Sequence, residues 1–122
     1  MATILVIDDD TAARTVIVEM LTENGHQTVE AREGGEGLEL FNEGKFDIVI
    51  TDMSMPKMSG LQLSRKISQI REDLPIILIS GFSDLLDDHN LSDYGIRELI
   101  HKPIRKVMLA QAISNILTKQ DN

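Results

Sequence analysis

The chain of 122 residues is acidic and contains no cysteine. It carries 20 Asp and Glu against 12 Lys and Arg, a formal net charge of −8, and its basic residues are scattered. A nucleic-acid surface needs a basic stripe, so this composition argues against DNA binding by the chain alone. No run approaches the ~18 apolar residues of a membrane span, and no leader-like segment opens the sequence. We expect a single domain, residues 1–122, in the reducing cytoplasm.

Five short runs rich in β-branched residues predict five strands. They are residues 3–7, 27–31, 46–51, 75–80 and 98–101. The first, third and fourth are almost continuous in Ile, Val and Leu, which is typical of strands buried on both faces of a parallel sheet.

Helical spacing of apolar residues predicts helices between these strands. The spacing is clearest in residues 13–21, 63–70 and 109–117, and weaker in residues 35–42 and 84–94. Strands that alternate with helices predict right-handed crossovers and a doubly wound α/β fold. We therefore expect a five-stranded parallel sheet in the order 2-1-3-4-5, with helices on both faces.

In such a sheet, ligands bind at the carboxyl ends of the strands, beside the switch point between strands 1 and 3. The predicted strands end there in acids, one hydroxyl and one amine: Asp8, Asp9, Asp10, Asp52, Ser80 and Lys102. The fold thus predicts that these groups converge on one end of the sheet.

Crowded carboxylates need a compensating cation, because two of them about 4 Å apart repel by roughly 4 kcal/mol at an effective dielectric near 20. Oxygen ligands without His or Cys favour Mg²⁺ or Mn²⁺ at Asp8, Asp9 and Asp52. Lys102 could pair with Asp52 and later with a phosphoryl oxygen, and Ser80 could donate to another. Asp52 is then the predicted nucleophile, which would form an aspartyl phosphate.

Four segments carry these residues in a specific combination. They are residues 4–10 (ILVIDDD), 47–61 (DIVITDMSMPKMSGL), 75–81 (PIILISG) and the pair Lys102–Pro103. In order and spacing they resemble the response-regulator receiver family, the CheY-like phosphoacceptors of two-component signal transduction. The resemblance covers residues 4 to about 117 and implies a flavodoxin-like, three-layer sandwich.

The resemblance also implies roles for individual residues. Asp8 and Asp9 would bind Mg²⁺, and Asp52 would accept the phosphoryl group from a histidine kinase or phosphotransfer domain. The backbone carbonyl of Ser54 would complete the protein ligands of the metal. Ser80 would be the switch hydroxyl, and Lys102 the paired amine.

The implied function is regulatory. Catalysis would be limited to self-phosphorylation from small donors and self-dephosphorylation. Phosphorylation would change the conformation and so regulate a downstream protein, an attached output domain or a phosphorylation-dependent dimer. The cognate kinase, the stimulus and the output stay open, as does the choice between a free-standing regulator and a receiver within a longer protein.

Three positions depart from the commonest pattern of the family. Ser59 stands where Asp usually precedes the glycine, Phe82 is bulky where many members are polar, and Leu99 replaces a frequent aromatic. We therefore do not expect the ring rotation that accompanies activation in members with that aromatic.

Three other functions compete with the phosphoacceptor. A receiver-like module could dock partners without phosphate, but such modules commonly lose an acid or the lysine, and this chain has both. A Mg²⁺-dependent phosphatase would need a second Asp where Ser54 stands. A flavin-binding protein would need a hydroxyl- and glycine-rich loop after strand 1, where acids would repel the phosphate.

Overall fold

A computed structural model of the chain describes residues 1–81 and 88–120. In these ranges, strands alternate with helices along the chain. The strands are β1 Thr3–Ile7, β2 Gln27–Ala31, β3 Ile48–Asp52, β4 Ile76–Ser80 and β5 Ile96–His101. The α-helices are α1 Thr11–Glu23, α2 Gly34–Glu43, α3 Gly60–Ile70 and α4 Lys106–Gln120, and a 3-10 helix spans Asp88–Tyr94.

The strands form one parallel sheet in the order β2-β1-β3-β4-β5, which confirms the predicted fold. Side chains along a strand alternate between the two faces, so Ile4 and Val6 pack with α1 and α4 while Leu5 and Ile7 pack with α2 and α3. β3 and β4 are buried along their whole length. No helix in the described ranges is long and apolar enough to cross a membrane.

Several predicted boundaries differ from the observed ones. β3 begins at Ile48, two residues later than expected, and β5 begins at Ile96, two residues earlier. β5 is longer because Ile96 pairs with Ile76 of β4, and Arg97 stands at a register shift before pairing resumes at Glu98. Of the helix predicted over residues 84–94, the described part is the 3-10 helix; residues 82–87, and with them Phe82, lie outside the described residues.

Two side chains determine where the helices begin beside the predicted site. Asp10 is the N-cap of α1, and its carboxylate accepts from two amides of the first turn. Ser59 caps α3 in a reciprocal pair with Gln62, the capping box. Both helices thus begin close to the carboxyl end of the sheet, so the loops before them are held in place.

Candidate functional site

The sheet places the predicted acids together. Asp8 directly follows β1, where its amide donates to the carbonyl of Ala31, and Asp52 is the last residue of the neighbouring strand β3. Asp8, Asp9 and Asp52 each offer a carboxylate oxygen within 4.8 Å of the others. Asp8 and Asp52 are buried, and Asp9 is exposed. The expected convergence of these three acids is therefore present.

Asp8 has an unusual environment for a carboxylate. Its Oδ1 accepts from the amide of Asp10 at 2.9 Å, whereas Oδ2 is buried and has no hydrogen-bond partner among the described residues. Burial raises the pKa of Asp8 to about 6; the Asp10 amide opposes this rise, and the negative charge of Asp52 adds to it. A cation bound among these acids would offset their repulsion and give Oδ2 a partner, so the donor set fits a hard divalent ion.

Lys102 reaches the same cluster from the end of β5. Its Nζ lies 3.0 Å from Oδ1 of Asp52, and its backbone amide donates to the carbonyl of Ser80 at 2.8 Å. Burial lowers the pKa of Lys102, but the hydrogen bond and the negative charge of Asp52 outweigh that effect, so the net shift is upward. The amine therefore stays protonated beside Asp52. The bond from Lys102 to Pro103 is cis.

The two remaining predicted residues lie in the same region with different surroundings. Ser80 ends β4, is 1% exposed, and its hydroxyl donates to the carbonyl of Gly81 at 3.2 Å. Ser54 is exposed in the loop between β3 and α3. In that loop Lys57 adopts a left-handed backbone conformation, with φ of 70°.

Sequence reasoning missed two residues that shape this site. A Cβ added at Gly60 would lie 2.2 Å from the carbonyl oxygen of Asp52, so α3 can approach the acceptor strand only with glycine there. Arg14 is buried and donates to the carbonyl of Asp8. The signal for Arg14 was its position on the buried face of α1, three and seven residues before Ile17 and Leu21.

A parallel sheet of this order, with acids and a lysine at its switch point, defines the class of receiver domains. The chain belongs to the response regulator receiver domain family, whose model matches residues 4–114. It is a domain of signalling regulators and not an enzyme in the ordinary sense. Receiver domains of two-component systems interact with histidine kinases and output domains.

Similar proteins include both longer regulators and small ones. Transcriptional regulatory protein GlrR of Escherichia coli is 33% identical over 116 residues, which are 95% of this chain but 26% of that protein. Protein PilH of Pseudomonas aeruginosa is 30% identical over 119 residues, 96% of this chain and 98% of PilH. A response regulator receiver domain protein from Clostridium thermocellum superposes with a TM-score of 0.90 at 34% identity, covering 99% of this chain and 98% of that one. The chain thus spans about a quarter of the first relative and nearly all of the second.

Proposed function

We propose that this receiver domain accepts a phosphoryl group on Asp52 from a histidine kinase or phosphotransfer domain. The observation that carries the proposal is the contact between Lys102 Nζ and Asp52 Oδ1, 3.0 Å long, inside a cluster of acids. A protonated amine beside a buried carboxylate can offset the charge of an incoming phosphoryl group. Asp52 is the acid that this amine contacts, so it is our choice of nucleophile.

The same cluster is our proposed metal site. The carboxylates of Asp8, Asp9 and Asp52 and the backbone carbonyl of Ser54 would hold Mg²⁺, or Mn²⁺. Support comes from the unpartnered Oδ2 of Asp8 and from the three carboxylates that lie within 4.8 Å of one another. A bound Mg²⁺ would offset the charge of the carboxylates and of phosphoryl oxygens.

In the transfer step, an oxygen of Asp52 attacks the phosphorus atom of the donor. The new O–P bond forms as the bond from phosphorus to the imidazole nitrogen of the donor breaks, and the bonding electron pair leaves with that nitrogen. Lys102 then pairs with a phosphoryl oxygen instead of the unmodified carboxylate of Asp52, and Ser80 donates to another. Attack of water on the phosphorus later releases phosphate and restores the carboxylate.

The output would begin at Ser80. Its hydroxyl now donates to the carbonyl of Gly81, so a new hydrogen bond to the phosphoryl group would break that contact at the end of β4. Loss of the contact would change the conformation of the chain after β4. The surface offered to a downstream protein, an attached output domain or a second copy would change with it. We place this function in the cytoplasm, where histidine kinases present their phosphorylated domains.

Acetyl phosphate with Mg²⁺ tests the acceptor directly. We expect native protein to gain the mass of one phosphoryl group, removable by hydroxylamine, and Asp52→Asn to gain none. Asp47→Asn is the matched control, because Asp47 is an exposed acid before β3, at the opposite end of the sheet, and its loss should leave labelling intact. Labelling of Asp52→Asn at the native level would reassign the acceptor. Unlabelled native protein would favour the phosphate-independent docking module.

A further inference from the structure

Arg14 is a buried cation that the proposed transfer step does not use. Its side chain is 9% exposed and lies between the end of β1 and strand β2. Nη1 donates to the backbone carbonyl of Asp8 at 2.7 Å, and Nε donates to Oε1 of Glu30 at 3.0 Å. Both bonds use donors of one planar guanidinium, so the position of Glu30 fixes the direction of the bond to Asp8.

The carbonyl of Asp8 needs this donor because it lies beyond the last residue of β1. The Asp8 amide donates to Ala31 of β2, so its carbonyl faces the same side; β1–β2 pairing ends with Ile7 and Ala31, and this ladder supplies no amide to that carbonyl. A buried carbonyl without a partner is costly, and Arg14 satisfies it from the first turns of α1. That carbonyl belongs to the peptide joining Asp8 to Asp9, so Arg14 holds the one backbone unit common to both acids.

We propose that Arg14, oriented by Glu30, is a positioning residue for the metal site. It fixes the Asp8–Asp9 peptide and thereby the directions in which the two carboxylates point. Glu30 holds the guanidinium from the edge strand β2 without being one of the acids of the cluster. The inference rests on the proposed function, because it names the residue that makes the metal ligands of that function converge.

The sign of the expected effect separates positioning from charge. Removal of a cation near an acidic site makes the site more negative, which by charge alone would strengthen Mg²⁺ binding. Loss of a positioning contact should weaken Mg²⁺ binding, because the peptide between Asp8 and Asp9 no longer fixes the orientation of their carboxylates. Replacement of Arg14 by a neutral residue should therefore weaken binding if the contact matters, and strengthen it if only the charge matters.

The chain provides a matched control in Arg71. Its Nε donates to Asp73 and its Nη1 donates to the carbonyl of Phe46, the same pair of bonds at the opposite end of the sheet. Arg71→Met removes the same charge and the same kind of bond far from the acids. The two variants therefore differ in which end of the sheet loses an arginine bond to a backbone carbonyl.

The test is a Mg²⁺ titration of the native protein and both variants, read by calorimetry or amide NMR because the chain has no Trp. We expect Arg14→Met to raise the dissociation constant of Mg²⁺ about tenfold, as for the loss of a contact that orients a metal ligand. Arg71→Met should change it by less than about twofold, as for distant sites. Unchanged or tighter binding in Arg14→Met would overturn the proposal.

Two substitutions of Glu30 test the same idea without touching α1. Glu30→Gln and Glu30→Ala remove the same charge, but only the glutamine retains an oxygen for the Nε bond of Arg14. We expect weaker Mg²⁺ binding in Glu30→Ala than in Glu30→Gln. Equal affinities would show that Glu30 does not orient Arg14. Because these variants leave Arg14 in place, the comparison can be made even if Arg14→Met does not fold.

A metal-free measurement separates this inference from the proposed function. The amide of Asp10 donates to Asp8 Oδ1, so its hydrogen exchange reports on the order of the acidic turn. With EDTA present, Arg14→Met should speed that exchange about tenfold relative to Arg71→Met. If native protein does not bind Mg²⁺, faster exchange in Arg14→Met would refute the metal site but leave Arg14 as the residue that orders the acidic turn. If Arg14→Met and Arg71→Met exchange at equal rates and Arg14→Met binds Mg²⁺ with native affinity, the positioning role is refuted and the metal site is not.

Discussion

The two ends of the sheet contain similar polar groups in different states. At the amino end, the carboxylate of Asp47 accepts from the amide of Thr3 at 2.8 Å, and Arg71 donates to the carbonyl of Phe46. At the carboxyl end, Asp8 is buried with one oxygen unpartnered, close to Asp9 and Asp52. Among the described residues, that oxygen is the one buried side-chain polar atom without a partner.

The difference shows which polar groups serve the fold and which serve a ligand. Paired groups at the amino end close the loops before β1 and β3, so their removal should cost stability. The crowded acids at the carboxyl end repel one another when no metal ion is bound, so they should then cost stability. Substitutions at the two ends should therefore differ in size or in sign.

The largest contrast is expected between two glycines. Gly60→Ala should destabilise the protein by about 2 to 3 kcal/mol, because the new Cβ would lie 2.2 Å from the carbonyl oxygen of Asp52 and overpack the acceptor strand. Gly25→Ala, in the turn between α1 and β2, should cost about 1 kcal/mol for its positive φ alone, since no described residue beyond its chain neighbours lies within 4 Å of the new atom. Urea unfolding of both variants gives the comparison. A larger loss in Gly25→Ala would show that α3 can move away from Asp52 at little cost.

The next contrast is one of sign. In metal-free protein near neutral pH, Asp8→Asn should stabilise the fold by about 2 kcal/mol, because it removes a buried charge and keeps the oxygen that accepts from the Asp10 amide. Asp47→Ala should destabilise it by about 1 kcal/mol, since the amide of Thr3 loses its acceptor. Unfolding in EDTA measures both effects. Destabilisation by Asp8→Asn would show that the unpartnered oxygen is satisfied in solution.

The Asp8 effect should depend on pH in a defined direction. The pKa of Asp8 rises from 3.8 to about 6 on folding, so the folded state binds the proton more tightly than the unfolded state does. The penalty for the charged form is complete above pH 6 and declines as the pH falls toward 3.8. Between about pH 7.5 and pH 5, the stability gained by Asp8→Asn should fall to about half. A gain that grows on acidification would contradict the raised pKa.

Most of the fold could be predicted because strand signals and topology need only local sequence. The apolar runs of β1, β3 and β4 identify strands buried on both faces, and the order of the sheet follows from strand–helix alternation. The 3-10 helix Asp88–Tyr94 was predicted as part of a longer helix, because short spacing patterns do not separate 3-10 from α geometry. β5 was predicted too short because cross-strand pairing, not composition, fixes its first residues.

The candidate site could be predicted to the level of which side chains meet. Asp8, Asp52 and Lys102 follow strand ends, and parallel topology alone brings strand ends together. The unpartnered oxygen of Asp8 and the bond from Arg14 to its carbonyl could not be predicted. They depend on small differences in the distances between side-chain and backbone atoms, which no spacing pattern encodes.

The smallest expected effect lies at the amino end and has the opposite pH dependence. His26 Nδ1 accepts from the amide of Ala2 at 3.1 Å, which requires the neutral ring. Burial lowers the pKa of His26, and the positive amino terminus lowers it further. The unfolded chain therefore takes up the proton more readily, so this contribution to stability is complete above pH 6.5 and is lost as the pH falls below that value.

NMR titration of the His26 ring should give a pKa below the ordinary value of about 6.5. His26→Gln, which can accept from Ala2 without titrating, should lose less stability than native protein on acidification from about pH 7.5 to pH 6. A ring pKa at or above the ordinary value would show that the bond to Ala2 does not hold the ring neutral, and the pH contrast between the two ends would then rest on Asp8 alone.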